Sequence, residues 1–539
     1  MTAGRVCVQR RLVLGAVLAA ACIAATAVRV SADDGPPVTC AHGSTAVTTK
    51  CEMTLARENG LTYVQQHNVA LSSDGLTAWV GGLTVDSSNI IHYIVAAYNT
   101  TSGALLWHQY YSSPIGGHAS GFRMAVSPDD RLVAVTGQAL VQVDASTTGY
   151  RAVTAVWDAS TGALQWTTQT RSGYEGYRMA FAPDSRTLYV GGQVYTYGDG
   201  VNPTTETGDD WTIAAYDTST GAERWYQTIS ANYIVGNNGD FLDFLSVSPD
   251  GSTVAATGRR PESGIDDGFG HNRGDEWGTA LLDSATGTVR WLQTYAGGLG
   301  YDYPHDVEFS PDGQTLVVSG EIQLVQGTFI AAVVAYHAAD GTQVWAQRIT
   351  PSSGGASFAP ALTVDGSHAY VAMQWDEQGT AADYVTQSLS LADGTAQWTA
   401  TYAQPGSDTP TAIVLAADGA TVYVTGQSQQ PLTDYDATTV AYRTDTGAER
   451  WVANYAGPGP MDNQADIDES IASARHGTRV AVAATSPSAD GNTAAALLIY
   501  DVSSEVTPPD AVPELPLSPA LFALASVLLV VVLRRRRHP

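Results

Sequence analysis

The chain has 539 residues, of which 53 are acidic and 26 are basic, so its formal net charge at pH 7 is −27. A surface this acidic repels nucleic acid and anionic lipid, which argues against nucleic-acid recognition and keeps an exported protein soluble. The abundance of Gly and the alternation of apolar and polar residues exclude a helical solenoid and indicate an all-β chain.

The N-terminus carries an export signal in residues 1–32. Arginines precede an apolar run, and small residues follow that run up to Ala32, as in a secretory signal peptide and its cleavage site. The next segment, residues 33–60, contains Cys40 and Cys51, the two cysteines that remain after cleavage. Because exported proteins fold in an oxidising compartment, we expect these two cysteines to form a disulfide.

Two phrases recur along residues 61–504. One runs from a hydrophobic residue through a polar turn and Gly to Trp, and its seven copies, 53 to 66 residues apart, end at Trp107, Trp166, Trp225, Trp291, Trp345, Trp398 and Trp451. The other is a turn such as Ser-Pro-Asp-Gly between two β-branched runs, in which Pro presets one dihedral angle and Gly accepts a positive φ. Together they predict units of four antiparallel strands, which is typical of β-propeller blades.

The two phrases occur in different numbers, with eight hairpin turns but only seven Trp strands. The last unit ends at residues 497–501 without a fourth strand, whereas residues 49–57 lie upstream of the first unit where a Trp strand would be. We therefore expect an eight-bladed β-propeller in residues 61–504, closed by the N-terminal strand, because closure removes the open sheet edges. We also expect the protein to be a monomer.

The C-terminus resembles a membrane anchor. Residues 505–516 form a Pro-rich linker, residues 517–533 are an uncharged, mostly apolar stretch, and residues 534–539 form a basic end with four consecutive arginines. Seventeen such residues are just enough for a short transmembrane helix, and the arginines should hold its end in the cytoplasm. We expect an exported protein at the cell surface, anchored in the membrane or envelope by this helix.

Two family resemblances follow from these residues. The Trp phrase, clearest at residues 216–225, resembles the tryptophan-docking motif of quinoprotein-type (PQQ-like) propellers, and the turn phrase at residues 246–258 is similar to YVTN-type repeats. The resemblance covers about residues 60–504 and implies that each Trp packs between neighbouring blades near the Gly of the turn. The tail resembles a bacterial surface-sorting signal: residues 512–514 look like the start of a PEP-CTERM motif, and residues 515–519 like half of an LPxTG motif.

Polar side chains are predicted at the entrance of the first strand of several blades, beside the central channel. Counting back from each hairpin turn places six of them on one rim: Arg123, Arg178, Asp243, His305, Asp306 and Glu469. Nearby aromatic residues would line the same pocket: Phe122, Tyr177, Tyr301 and Tyr303. Such a set can hold a carbohydrate or an anionic small molecule. The same charges can also pair with one another and merely solvate the channel.

The sequence assigns no catalytic residue and leaves the metal content unknown. Acidic loops such as residues 259–277 carry the oxygen ligands that calcium prefers, but they lack the spacing of a known calcium loop and can equally be solvated. Quinoprotein dehydrogenases of the resembled family use adjacent cysteines with calcium, and this chain has no vicinal cysteine pair. Motifs of serine hydrolases and zinc metalloproteases are absent as well. We expect no cofactor, with PQQ and calcium left open.

The sequence therefore favours a non-catalytic binding propeller whose partner is an extracellular glycan, peptide or protein, held on the face where the loops vary. One alternative is an enzyme at the channel mouth, either a quinoprotein-like oxidoreductase or a polysaccharide-active enzyme. A purely architectural envelope protein is a further alternative.

Overall fold

The computed structural model of the protein describes residues 48–50, 63–144, 146–170, 175–197, 206–230, 241–261, 275–297, 301–325, 328–350, 356–376, 381–429, 435–456, 467–487 and 493–502. The regular structure in these residues consists of β-strands, arranged as eight four-stranded antiparallel sheets. The predicted export signal, both cysteines and residues 503–539 lie outside the described residues. Nothing in the part of the chain that the structure describes forms an apolar helix of membrane-spanning length.

Seven of the sheets, which we call blades 1 to 7, each contain four strands that are consecutive in the chain. Blades 1 to 4 consist of β2 (Tyr63–Leu71), β3 (Thr77–Val85), β4 (Ile91–Asn99) and β5 (Leu105–Tyr111); β6 (Ala119–Val126), β7 (Leu132–Gln142), β8 (Thr148–Asp158) and β9 (Leu164–Gln169); β10 (Glu175–Phe181), β11 (Thr187–Tyr197), β12 (Glu206–Asp217) and β13 (Glu223–Ile229); and β14 (Phe241–Val247), β15 (Thr253–Pro261), β16 (Asp275–Asp283) and β17 (Val289–Tyr295). Blades 5 to 7 consist of β18 (Asp302–Phe309), β19 (Thr315–Val325), β20 (Thr328–His337) and β21 (Gln343–Ile349); β22 (Ala356–Val364), β23 (His368–Asp376), β24 (Asp383–Ser390) and β25 (Ala396–Tyr402); and β26 (Asp408–Leu415), β27 (Thr421–Gln429), β28 (Tyr435–Arg443) and β29 (Glu449–Tyr455).

Blade 8 joins the two ends of the propeller. It contains β30 (Ile467–Ser473), β31 (Arg479–Pro487), β32 (Thr493–Asp501) and the N-terminal β1 (Thr48–Lys50). The first strand of each blade contacts the first strands of both neighbouring blades, so these eight strands form a closed ring around a central channel. The eight-bladed architecture predicted from the sequence is confirmed. The fourth strand of blade 8 overlaps the N-terminal segment expected to supply it.

The hairpin turns between the first two strands of each blade follow from local chemistry. In blade 4, Ser248 Oγ donates to Asp250 Oδ1 at 2.7 Å, and the backbone N–H groups of Ser252 and Thr253 donate to Asp250 Oδ1 and Ser248 Oγ. Gly251 has φ +72°, a conformation that glycine adopts without the steric cost of a Cβ. These bonds satisfy the turn within the six residues from Ser248 to Thr253, so the hairpin is specified by its own sequence.

The apolar core is divided into eight clusters, one between each pair of neighbouring blades. This follows from the strand pattern, since second and third strands such as β19 and β20 are apolar on both faces and bury both against adjacent blades. Each blade is therefore held by its neighbours rather than by a core of its own, as in other repeat architectures.

The repeated tryptophans join neighbouring blades. For six of them the indole N–H donates to a backbone carbonyl of the next blade at 2.7–3.1 Å; the pairs are Trp107–Ala159, Trp166–Thr218, Trp225–Ser284, Trp291–Ala338, Trp345–Leu391 and Trp398–Thr444. Each ring also covers the turn glycine of that next blade, as Trp225 covers Gly287. The packing role implied by the family resemblance is thus confirmed.

The junction between blades 8 and 1 is built differently. Its closing strand comes from the N-terminal segment, which contains no Trp at residues 48–57. In its place, the Arg479 guanidinium donates to the Gly75 carbonyl at 3.3 Å and to Thr101 Oγ1 at 2.9 Å, and it also bonds Thr100 Oγ1. Arg475 reaches further and donates to the Pro128 carbonyl at 2.8 Å. Arginine side chains therefore replace the indole at the closing junction.

Candidate functional site

Every first strand carries a β-bulge at an equivalent position close to the channel. The residues that the pairing skips are His67, Phe122, Tyr177, Asp243, His305, Thr411 and Glu469, and in blade 6 the pair Ala359 and Pro360. A bulge re-aims side chains locally, so the repeat gives each blade one irregular position on the inner wall. Polar residues concentrate there.

The predicted rim residues lie at or directly after these bulges. Arg123, Arg178 and Asp306 directly follow the skipped residue, whereas Asp243 and His305 are the skipped residues themselves. The residue of blade 4 equivalent to Arg178 is consequently an aromatic one, Phe244, and not Asp243. Glu469 is the skipped residue of blade 8. The placement of its side chain lies outside what the structure describes.

Arg178 connects blades 3 and 4 at the channel wall. Its Nε donates to the Asp243 carbonyl, and its guanidinium lies 4.4 Å from the centre of the Phe244 ring. Burial and the like charge of Arg123 lower the pKa of Arg178 to about 9, which still leaves it a cation at neutral pH. The structure therefore brings the two predicted arginines into electrostatic contact, and Arg178 also supports the fold.

Asp306 and Glu308 face the channel from blade 5. Asp306 Oδ2 accepts from the Leu362 N–H at 3.3 Å, and Glu308 Oε2 accepts from the Val364 N–H at 3.1 Å, so both bind the backbone of blade 6. Burial raises the pKa of Asp306 to about 6, against the opposing effect of these bonds and of Arg178 and Arg123. Burial and the neighbouring Asp306 charge raise the pKa of Glu308 well above its usual value. The channel thus combines two cations with two carboxyl groups that hold their protons unusually tightly.

At pH 8, Asp306→Asn should raise the free energy of unfolding by roughly 1–3 kcal/mol. The pKa of Asp306 is about 6 in the folded protein and near 3.8 in the unfolded chain, so stability is lost as the pH rises from about 4 to about 6. Asparagine cannot ionise and avoids this loss. Urea denaturation at pH 8 and pH 4 measures the effect, which should have mostly disappeared at pH 4.

Asp312→Asn is the matched control, at the turn that follows the same strand. The Ser310 hydroxyl and the Gln314 N–H donate to Asp312 and lower its pKa, so its ionised form stabilises the fold above pH 4. This substitution should therefore destabilise the protein at pH 8. A gain of stability from both substitutions, or from neither, would contradict the assignment of Asp306 as a strained channel carboxylate.

A second group of charges lies where blades 4 and 5 meet. Arg259 Nε is 3.3 Å from Asp243 Oδ2, and burial raises the pKa of Asp243 despite the Arg259, Arg178 and His305 charges nearby. His305 Nε2 lies 3.6 Å from Glu321 Oε1. Five of the predicted rim residues therefore interact through Arg178 and Asp243, namely these two with Arg123, His305 and Asp306. Arg259 and Glu321 extend the group along blades 4 and 5.

The structure adds Glu308 to the site residues that the sequence revealed. Glu308 could have been noticed in the sequence, because it stands where blades 2 and 3 have Ala125 and Ala180. Arg259 and Asp275 lie in the acidic loop of residues 259–277, but the sequence did not connect them with the channel rim.

An open depression of about 500 Å³ lies on the opposite, repeated-turn face, between blades 5 and 6. Its lining consists of turn and strand-end residues, with His368 as the one titratable side chain among them. These turns recur from blade to blade and form the scaffold. The candidate site is therefore the charged channel mouth and not this depression.

The described residues do not match a quinoprotein site. Six docking indoles are wedged over glycines of the next blade with their N–H groups bound, so they are not available to sandwich a quinone. No three His, Cys, Asp or Glu side chains within the described ranges converge as metal ligands would. The chain also lacks adjacent cysteines. We derive no chemical step through PQQ or calcium, and the expectation that the protein needs no cofactor stays a prediction.

Eight four-stranded blades, a closed inner ring and tryptophans docked on the glycines of the next blade define a PQQ-type repeat propeller. The chain belongs to the family described as outer membrane protein assembly factor BamB, whose profile matches residues 92–236 and 278–507, more than half of its length. That family is associated with the bacterial envelope. A search of curated proteins finds no significant match.

Solved structures similar to this chain share little sequence with it. BamB from Moraxella catarrhalis is 14% identical with a TM-score of 0.43, and the alignment covers 84% of this chain and 97% of that one. A quinohemoprotein alcohol dehydrogenase from Pseudomonas putida HK5 is 12% identical with a TM-score of 0.46, covering 83% and 76%. The C-terminal WD40 domain of Sif2 is 10% identical with a TM-score of 0.47, covering 81% and 99%. Propellers of this type include both binding modules and quinoprotein dehydrogenases.

Proposed function

We propose that the protein is an exported, envelope-anchored binding propeller without catalytic activity, which holds a glycan, peptide or protein partner at the channel mouth. The observation that carries this proposal is the set of charged side chains at the bulges of blades 2 to 5, a position that blades 6 and 7 fill with small residues. Membership of an envelope assembly family supports a binding role. Export by residues 1–32 and anchoring by residues 517–533 are parts of the proposal that rest on sequence alone.

The arrangement suits binding better than catalysis. The channel carboxylates Asp306 and Glu308 accept from backbone N–H groups of blade 6, which holds them in place as fixed acceptors. The guanidinium of Arg178 is likewise held against Phe244. Side chains positioned in this way can recognise polar groups at low entropic cost. The carboxyl groups of blade 5 and the arginines of blades 2 and 3 would contact opposite ends of a polar ligand.

Arg123→Ala should weaken partner binding at least ten-fold, because it removes one of the two cations at the channel wall. The purified full-length chain is screened on an array of neutral and acidic glycans and on an array of peptides, and each ligand found is titrated against the variant. Arg151→Ala, on the third strand of the same blade, is the control and should leave affinity unchanged. Arg178 is unsuitable because its replacement would also remove a contact between blades.

Equal ligand affinities of the original chain, Arg123→Ala and Asp306→Asn would contradict binding at the channel mouth.

The quinoprotein alternative has its own test, since addition of PQQ with calcium should leave the melting temperature unchanged. A rise of several degrees would instead indicate a bound cofactor and overturn the non-catalytic assignment.

A further inference from the structure

Blades 4 and 5 pack against each other at the variable-loop end of the propeller, and we call the surface formed there by Arg259, Asp275, Tyr301 and Tyr303 the cleft. The wall from blade 4 is formed by β15 and β16, and the wall from blade 5 by β18, β19 and β20. The guanidinium of Arg259 lies 5.5 Å from the centre of the Tyr303 ring, and the Trp277 indole N–H donates to the Glu321 carbonyl at 3.2 Å. These contacts join the two walls at the bottom of the cleft.

Three aromatic rings form a platform on the blade 5 wall. The rings of Tyr301 and Tyr303 are nearly parallel, with 7° between their planes and 6.3 Å between their centres. Phe329 continues the row, 5.9 Å from Tyr303 and inclined by 24°. Tyr301, at the outer end, is 40% exposed. The inner rings of this row lie against one another and against Arg259, so Tyr301 is the exposed ring.

An unsatisfied carboxylate lies on the facing wall. Asp275 is only 8% exposed, and none of the described residues forms a hydrogen bond with its Oδ1 atom. Burial raises the pKa of Asp275 to about 6, and its charge acts on the Tyr303 hydroxyl, which places it beside the aromatic platform. A buried acceptor without a donor destabilises the fold, so a ligand that brings a hydroxyl donor here would relieve that cost.

The charges of the cleft select the class of ligand. Arg259 is paired with Asp243, and its guanidinium already covers the rings of Phe241 and Tyr303 at 4.3 Å and 5.5 Å. The Arg259 guanidinium would repel a cationic ligand, and the carboxylates of Asp275 and Glu321 would repel an anionic ligand. A neutral ligand with a flat apolar face and several hydroxyl donors fits both walls.

We propose that the cleft between blades 4 and 5 binds a pyranose unit of a neutral glycan, stacked on the exposed ring of Tyr301 and donating a hydroxyl to Asp275. This assignment rests on the proposed binding function and specifies its ligand class. Stacking against aromatic rings and a hydrogen bond to a fixed carboxylate would together orient the sugar ring.

The test is calorimetric titration of the full-length chain with neutral hexasaccharides of glucose, mannose and N-acetylglucosamine, and with an anionic hexagalacturonate. A neutral hexasaccharide should bind, and Tyr301→Ala should weaken that binding at least ten-fold. Tyr150→Ala is the matched control, because Tyr150 is equally exposed, at 39%, on blade 2. Tyr301→Phe should retain binding, since stacking needs the ring and not its hydroxyl. Asp275→Asn should weaken binding several-fold.

The outcomes separate this assignment from the proposed function. Absence of binding by every neutral hexasaccharide at millimolar concentration, or equal affinities for Tyr301→Ala and Tyr150→Ala, would overturn the assignment. Peptide binding that depends on Arg123 but not on Tyr301 would also overturn it, while leaving the proposed function standing. Preference for the hexagalacturonate would show that the charge argument is wrong.

Discussion

Replacing Trp225 by alanine should lower the free energy of unfolding by about 3–5 kcal/mol. Trp225 is 9% exposed, belongs to the core between blades 3 and 4, and donates its indole N–H to the Ser284 carbonyl at 2.9 Å. The substitution opens a cavity between two blades and leaves the carbonyl of Ser284 without this donor. Urea denaturation followed by far-ultraviolet circular dichroism measures the loss.

A glycine pair isolates the docking contact from general effects of substitution. At Gly287 a Cβ atom would lie 2.5 Å from Trp225 Cε3, whereas at Gly419 no atom lies within 4 Å. Both glycines have a similar positive φ, +73° and +69°, so alanine carries the same backbone cost of about 1–2 kcal/mol at each. Gly287→Ala should therefore be more destabilising by a further ~1–3 kcal/mol. Equal losses at the two positions would show that the indole does not hold the blades together.

Removing the N-terminal strand should have the second large effect. A chain that lacks residues 33–52 loses the pairing of Thr48, Thr49 and Lys50 with β32, worth roughly 2–4 kcal/mol as a few backbone hydrogen bonds. It also exposes β32, whose side chains from Leu497 to Tyr500 are apolar, as an unpaired edge. We expect a lower melting temperature together with association into larger species, measured by calorimetry and by light scattering.

A shorter deletion, of residues 33–44, is the control for that experiment. It removes Cys40 and hence the predicted disulfide, but keeps the strand that pairs with β32. This variant should remain monomeric and lose less stability than the longer deletion. If the two deletions behave alike, the disulfide and its lead-in, and not the strand pairing, would account for the closure of the ring.

The scaffold could be predicted from the sequence because its determinants are local and repeated. The turn at Gly251 and the pair formed by Trp225 and Gly287 each lie in short phrases that recur in most blades. The rim residues stay a prediction as a ligand site. The β-bulge of each first strand, which leaves Asp243 outside the strand pairing in blade 4, is not marked by any motif in the sequence.

The cleft could not be predicted because its parts come from different blades. Tyr303 and Arg259 are separated by more than forty residues, and their contact depends on how two sheets pack. Asp275 appeared as one of several acidic residues in a variable loop, and nothing in the sequence indicates that it is buried. The repeated motifs thus predict the propeller framework. The roles of residues outside the repeat depend on their neighbours in the folded protein.

The pairing of β1 with β32 has a consequence for the order of folding. Thr48 is synthesised among the first residues of the propeller, and its partner Asp501 among the last, more than 450 positions later. Loop closure over such a distance is slow and follows the formation of local contacts. Each newly made blade can pack against the one before it, but blade 1 keeps an uncovered face until blade 8 is complete. The nascent protein therefore passes through an open, arc-shaped intermediate whose exposed face would need shielding until the two ends meet.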